Sequence, residues 1–299
     1  MKARLGISPI CWWNDDLPEL SDDVSLDECL RQAAEAGYAG METGRRFPMS
    51  MAELGPALAR HGISVCGGWF SGTVLLGDLE ENQDRIGPQM ELFKAAGAPC
   101  IVYGEVARSI QGDRAQPLAR KPRLSDDEMR AYARRMTLFG EWCAERGMPL
   151  AYHHHMGAVV ETEDDLDRFM AASGPGIPLL YDAGHMAMAG GDVLRVIETH
   201  HARIAHVHAK DVRQPVLDAL DRSRESFLDA VVKGAFTVPG DGSLDFDAIL
   251  GRLAHHGYEG WFVVEAEQDP RAAPPLPTSA KGNATLRRLL AAAGYEVAA

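Results

Sequence analysis

Cysteine is scarce and unpaired in this chain. Five cysteines in 299 residues (Cys11, Cys29, Cys66, Cys100 and Cys143) are odd in number and lack C-x-x-C spacing. That excludes a disulfide framework and a thiolate metal site, and they read as reduced core residues of a cytoplasmic protein. No apolar run is long enough to span a bilayer, so no membrane partner is expected. The apolar part of the N-terminus, MKARLGISPICWW, is too short for a signal peptide and runs straight into a strand. Positive charge is also short. Thirty Lys and Arg against 43 Asp and Glu leave a net charge of −13. Binding to phosphate backbones needs a basic face, so nucleic acid is excluded as the main partner. The acidic residues are interspersed, as on an ordinary solvated surface. No glycine-rich phosphate loop follows the first strand, which counts against a doubly wound dinucleotide-binding sheet.

What is present is a regular alternation of helix and strand. Ser25-Leu-Asp-Glu28 and Ser125-Asp-Asp-Glu128 are capping-box sequences that open helices. The junction helix-Gly-Tyr-x-Gly-strand occurs twice, at Gly37–Gly40 and Gly257–Gly260, as expected where glycine caps a helix before a strand. Gly62, Gly97 and Gly147 punctuate further helix ends. The pattern predicts strands near 4–10, 40–43, 63–70, 99–104, 148–154, 177–182, 203–209 and 261–267. Roughly eight βα units is the count of a TIM (β/α)8 barrel, and such barrels commonly reach this length as one domain, here 1–299. Two long connections, 105–124 and 212–243, follow strands and should lie over the C-terminal mouth. The second carries a predicted helix over Val216–Val232.

Metal-ligand residue types gather where these strands end. LAYHHH (150–155), LLYDAGH (179–185), IAHVHAKD (204–211) and FVVEAEQD (262–269) are apolar runs ending in His, Asp, Glu or Lys. In a parallel barrel those ends converge on one face, which predicts one polar pocket, suited to a metal. Alternation sends His153 and His155 to one face and His154 to the other. Asp182 is either a helix N-cap or a site group; the next helix is expected near Asp192, which favours the site. His208 lies nearer its strand end than His206 and is the better ligand, with Lys210 continuing the same alternation. Glu265 and Glu267 share a face, and carboxylates this deep are costly unless paired or metal-bound. A mixed imidazole and carboxylate set without sulfur suits Mn²⁺, Co²⁺, Mg²⁺ or Zn²⁺. Trp12, Glu42, Trp69, Tyr103 and Glu105 close the first four strands. They offer the flat walls and fixed hydrogen bonds that a small polyol ring needs. The alternatives are core packing for Trp12 and Trp13, and surface salt bridges for Glu42 and Glu105.

Taken together, GISPICWWNDDLPEL, METGRRFP, YHHHMG, LYDAGH, HVHAKDVR, FTVPGDGSLDF and VVEAEQDP are similar to the xylose-isomerase-like barrel family of sugar isomerases, epimerases and dehydratases. Within it the chain resembles the inosose dehydratases over essentially its whole length. YDAGH and PGDG occur widely in the family, whereas CWWNDD, YHHHMG and VVEAEQDP are specific. The resemblance implies a metal set of Asp182, His208 and Glu265, with His153 standing where many relatives carry Glu, and Mn²⁺ or Co²⁺ as the ion. It implies loss of water from 2-keto-myo-inositol (scyllo-inosose) through an enediolate, giving a trihydroxycyclohexane-1,2-dione. Glu265, Glu267 or His155 would be the base, Lys210 a base, acid or enolate stabiliser, and His185 or His155 the acid. A keto-inositol isomerase or epimerase shares the enediolate step. The fold is compatible with a homo-oligomer, though no motif specifies one.

Overall fold

In the structure, a computed structural model that describes residues 1–20 and 24–298, the apolar runs become eight parallel strands. They are β1 (Lys2–Ile7), β2 (Gly40–Thr43), β3 (Ser64–Gly72), β4 (Ile101–Glu105), β5 (Leu150–His153), β6 (Leu179–Asp182), β7 (Ile204–Ala209) and β8 (Gly260–Val264). Each pairs with its sequence neighbours, and β8 pairs back onto β1, closing a barrel. A short terminal strand, Glu296–Val297, lies along the start of β1.

The predicted junctions form for the expected reasons. Gly37 and Gly257 adopt φ of 91° and 72°, left-handed values that side chains resist and that end the preceding helices. Ser125 and Glu128 complete a reciprocal capping box. At Ser25 the hydroxyl caps the Glu28 N–H, but the Glu28 carboxylate is taken by Arg31 and Gln32. The first strand ends earlier than expected, at Ile7, because Pro9 starts a 3-10 turn over Pro9–Cys11. The helix expected over Val216–Val232 is two short helices, Gln214–Asp218 and Phe227–Val232. Ser226 and Asp229 form a capping box that restarts the second.

Inside the barrel the alternation of side chains stacks three of the site residues on small or apolar ones, while His208 stands above His206. Cys100, Val102, Ala151 and Leu180 form one packed layer, and Cys66, Trp261 and Val263 another. Two residues further along the same strands come His153, Asp182 and Glu265. The apolar plug therefore holds the polar groups at the C-terminal ends. The connections build a second small core above the mouth, including Leu17, Leu118, Met156, Met188, Phe227 and Phe236. Buried Asp211 pins the largest of them, accepting from the N–H groups of Val212, Gly240, Gly242 and Leu244. All five cysteines are buried and free. No helix of the described residues is long and apolar enough to cross a membrane.

Candidate active site and metal centre

Four neighbouring strands deliver one convergent group. Ligand atoms of His153, Asp182, His208 and Glu265, all buried, lie within 4.8 Å of one another. His208 Nδ1 is 3.0 Å from Glu265 Oε2 and 3.4 Å from Asp182 Oδ2, and His153 Nε2 is 3.6 Å from Asp182 Oδ2. Ligands about 2.0–2.2 Å from a shared ion in tetrahedral array stand about 3.3–3.6 Å apart, so the spacing fits. Among the described residues, none of these four atoms makes a hydrogen bond, and Glu265 Oε2 has a nearby cation, the Lys210 ammonium at 2.8 Å. Buried polar atoms are rarely left so, and four together mark a place for a cation.

The imidazoles are oriented for that task. His153 gives its Nδ1–H to the His154 carbonyl, leaving the Nε2 lone pair toward the cluster. His208 gives Nε2–H to Glu42 Oε1 at 3.1 Å, leaving Nδ1 toward the cluster. The same Glu42 oxygen accepts from His206 Nε2 at 3.0 Å. The position of Glu42 at the end of β2 thus fixes a β7 histidine from across the barrel. Burial would keep His206 neutral, but Cys100 and Glu42 push it up to about 9. Burial opposes ionisation of Glu42, yet His208 and His206 pull it down to about 2. On His208 burial is likewise outweighed, by Glu265 and Glu42, which hold its pKa well above the usual range. A proton and a divalent cation compete for Nδ1 in that negative field. His153, desolvated and beside His208, stays neutral, its pKa well below the usual value.

Asp182 does two things. Its Oδ1 accepts from the His185 N–H at 2.8 Å, capping a short helix, Ala183–Met188, that begins at once. The expected delay to Asp192 is wrong: that residue caps a second helix, Val193–His200. Oδ2 remains free for the cluster, so cap and site role coexist on one carboxylate.

A second group lies beside the first. His155, His185 and Glu267 also bring ligand atoms within 4.8 Å of one another. Lys210, fully buried, stands among them, with Nζ 2.8 Å from His185 Nε2, 2.6 Å from Glu267 Oε1 and 2.8 Å from Glu265 Oε2. Burial disfavours its charge, but Glu265 and Glu267 more than compensate and raise its pKa. His155 gives Nδ1–H to the Met156 carbonyl at 2.8 Å. Its Nε2 is 3.9 Å from Glu267 Oε1. Burial and then Lys210 lower the His155 pKa to about 4. Phe227 and Phe236, from the connection after β7, pack their rings against His155, His185 and Lys210.

A cavity of about 680 Å³ opens onto both groups through Glu42, His155, His208, Glu265 and Glu267. Trp69 forms a wall, edge-on to His153 and His155 at 5.7 Å from each. Glu42 also lines the cavity, whereas Trp12, Tyr103 and Glu105 do not. Trp12 is in the core, its indole N–H on Gln32 at 2.8 Å, and Trp13 lines the cavity instead. The turn over Pro9–Cys11 explains the difference, since the strand stops at Ile7 and Trp12 no longer closes it. Tyr103 and Glu105 are bonded to each other at 2.9 Å. Glu105 also takes the N–H groups of Leu75 and Ala107, so it fastens two loops rather than facing the cavity. Sequence reasoning missed the pairing of Glu42 with His206 and His208, and the two phenylalanines; neither has a local signal.

Gly104 makes room for the Trp69 wall. A Cβ there would fall 1.9 Å from the indole ring. Gly104→Ala is expected to push the indole from its seat and destabilise the protein by about 1–3 kcal/mol. A thermal unfolding scan checks this, and an unchanged midpoint would show that the wall yields freely.

Comparison with known proteins came out consistently. The family model described as xylose isomerase-like TIM barrel matches residues 30–289. The chain is 43% identical over 99% of its length to the rhizopine catabolism protein MocC of Rhizobium meliloti, covering 91% of that protein. It is 40% identical over 96% of its length to the inosose dehydratase of Geobacillus thermodenitrificans, covering 97% of it. A solved L-ribulose 3-epimerase superposes with a TM-score of 0.68 at 16% identity, over 97% of this chain and 95% of that one. Fold, strand-end geometry and whole-length similarity agree: the chain belongs to the xylose isomerase-like TIM barrel family.

Proposed function

We propose that this enzyme is a hydro-lyase that removes water from inosose, giving a trihydroxycyclohexane-1,2-dione in inositol catabolism. The observation that carries this reading is near-full-length similarity to several proteins named inosose dehydratase. The cavity supports it, with polar proton carriers at its floor and an aromatic wall beside them. His153, Asp182, His208 and Glu265 would hold a divalent ion, Mn²⁺ or Co²⁺, which supplies Lewis-acid polarisation of the ketone oxygen.

The chain's own groups then carry the proton. His155 has its Nδ1–H fixed on Met156, so its Nε2 lone pair is available to a proton on the carbon next to the ketone. Taking that proton makes an imidazolium and an enediolate. Glu267, 3.9 Å away, stabilises the imidazolium. The same Nε2–H passes to the hydroxyl on the next carbon as its C–O bond breaks. Water leaves, His155 returns to the neutral form, and the enol tautomerises to the diketone. Phe227 backs the His155 ring, and substrate filling the cavity would leave the leaving group as the nearest acceptor for the proton.

The test uses chelator-stripped protein and scyllo-inosose, with and without added Mn²⁺ or Co²⁺, read by mass spectrometry. A metal-dependent product one water lighter is expected. A product of unchanged mass would replace dehydration by epimerisation, and no turnover with any ion would remove inosose as the substrate.

A further inference from the structure

We propose that the Lys210 ammonium occupies the place of a second divalent cation, so that the buried site holds one metal ion and one cation of its own. This rests on the metal reading of His153, Asp182, His208 and Glu265. The His155, His185 and Glu267 group is by composition and spacing a cluster of three ligands, directly beside the four of the first. Nζ of Lys210 sits within it, hydrogen-bonded to His185 Nε2 and Glu267 Oε1 and ion-paired with Glu265 Oε2. Two buried carboxylate oxygens, Glu267 Oε1 and Glu265 Oε2, face this ammonium, with the His185 ring beside them. Glu265 reaches both cations, as a shared ligand between two metal ions would.

Charge and space support the assignment. Asp182, Glu265 and Glu267 are buried within ion-pair distance of Lys210, at 3.9, 2.8 and 2.6 Å. A divalent ion and one ammonium supply the three positive charges that balance three carboxylates, and buried charge that is unbalanced is strongly disfavoured. Glu42 is matched separately by His206. The lysine stem also has a prepared path. A Cβ on Gly184 would lie 2.5 Å from Lys210 Cγ, so a side chain at 184 would block it. The Phe236 ring faces Nζ at 4.7 Å and closes the remaining side. The chain therefore needs only one ion from solution, with the second positive centre tethered in place.

The test counts bound ions by native mass spectrometry of full-length protein equilibrated with excess Mn²⁺. Wild type is expected to bind one. Lys210→Ala, which opens the space, is expected to bind two, and Lys210→Ser serves as a second small variant should Lys210→Ala fold poorly. Adding Glu267→Ala to Lys210→Ala should return the count to one. Ethylamine, a free alkylammonium that fits the vacated path, should also displace the second ion. Two ions in wild type would overturn the assignment, as would one in both small variants at saturating Mn²⁺. No ion in wild type would instead overturn the metal reading, and this inference with it.

Discussion

Asp182→Asn is expected to strip the protein of its divalent ion while leaving the barrel folded. Asparagine is as good a helix cap as aspartate, so the 2.8 Å bond to the His185 N–H survives. What disappears is the negative Oδ2 that faces His153 and His208. Removing even a residue that merely orients a metal ligand weakens binding by about 10–100-fold, so losing a ligand should exceed about 100-fold. With Lewis-acid help gone, turnover should fall by about 1,000-fold, about 4 kcal/mol of barrier. His208→Ala should behave alike, with a cavity in addition. Two readouts separate metal loss from misfolding. Wild type saturated at about 100 times its Kd should gain about 2.7 kcal/mol of stability from the ion, raising its melting temperature. Asp182→Asn should show the wild-type metal-free melting temperature and little rise on adding Mn²⁺. A variant that kept its ion and full turnover would move the metal elsewhere.

The site was legible in the sequence wherever strand periodicity governs it. His153 and His208 point inward because residues two apart on a strand share a face, and His155, Lys210, Glu265 and Glu267 continue that spacing just past the strand ends, which the barrel brings together. The reading failed where the chain leaves that periodicity. Trp12 enters the core and Trp13 lines the cavity because the 3-10 turn at Pro9–Cys11 rotates the backbone by an amount no strand rule supplies. Asp182 was expected to choose between cap and site, but the two carboxylate oxygens are separate acceptors and serve both. Glu105 and Glu42 illustrate the remaining gap. Both are buried acids near the ends of β2 and β4, the two strands that flank β3, and local sequence assigns them alike. One fastens loops through Leu75 and Ala107, and the other spans the barrel to β7. That difference lies in contacts 30 residues away for one and 166 for the other, which no local pattern encodes. The aromatic cover has the same origin. The connection over 212–243 was expected above the mouth, yet which of its side chains reach His155 and His185 depends on the Asp211 anchor and the Ser226 cap.

His155→Ala separates proton transfer from metal binding. The side chain is outside the group of His153, Asp182, His208 and Glu265, and its ring is fixed by its own bond to Met156. The variant should therefore keep one ion per chain and a near-wild-type response of melting temperature to Mn²⁺. Its kcat should nonetheless fall by about 100- to 10,000-fold, the range for a lost general base. KM should move less, because the wall at Trp69 and the metal centre remain. In deuterated water, inosose recovered from wild type should carry little deuterium next to the ketone, since the His155 ring is backed by Phe227 and holds the abstracted proton for the leaving group. The variant should lose abstraction altogether, and added imidazole, entering the space left beside Phe227, should restore part of the rate. Imidazole rescue is the decisive part, because a side chain that only props up the site cannot be replaced by a freely diffusing base. Unchanged kcat, or loss of the ion together with activity, would pass the proton-carrying role to Glu267. Glu267→Gln would then show the fall in kcat, with Lys210 left holding one carboxylate fewer.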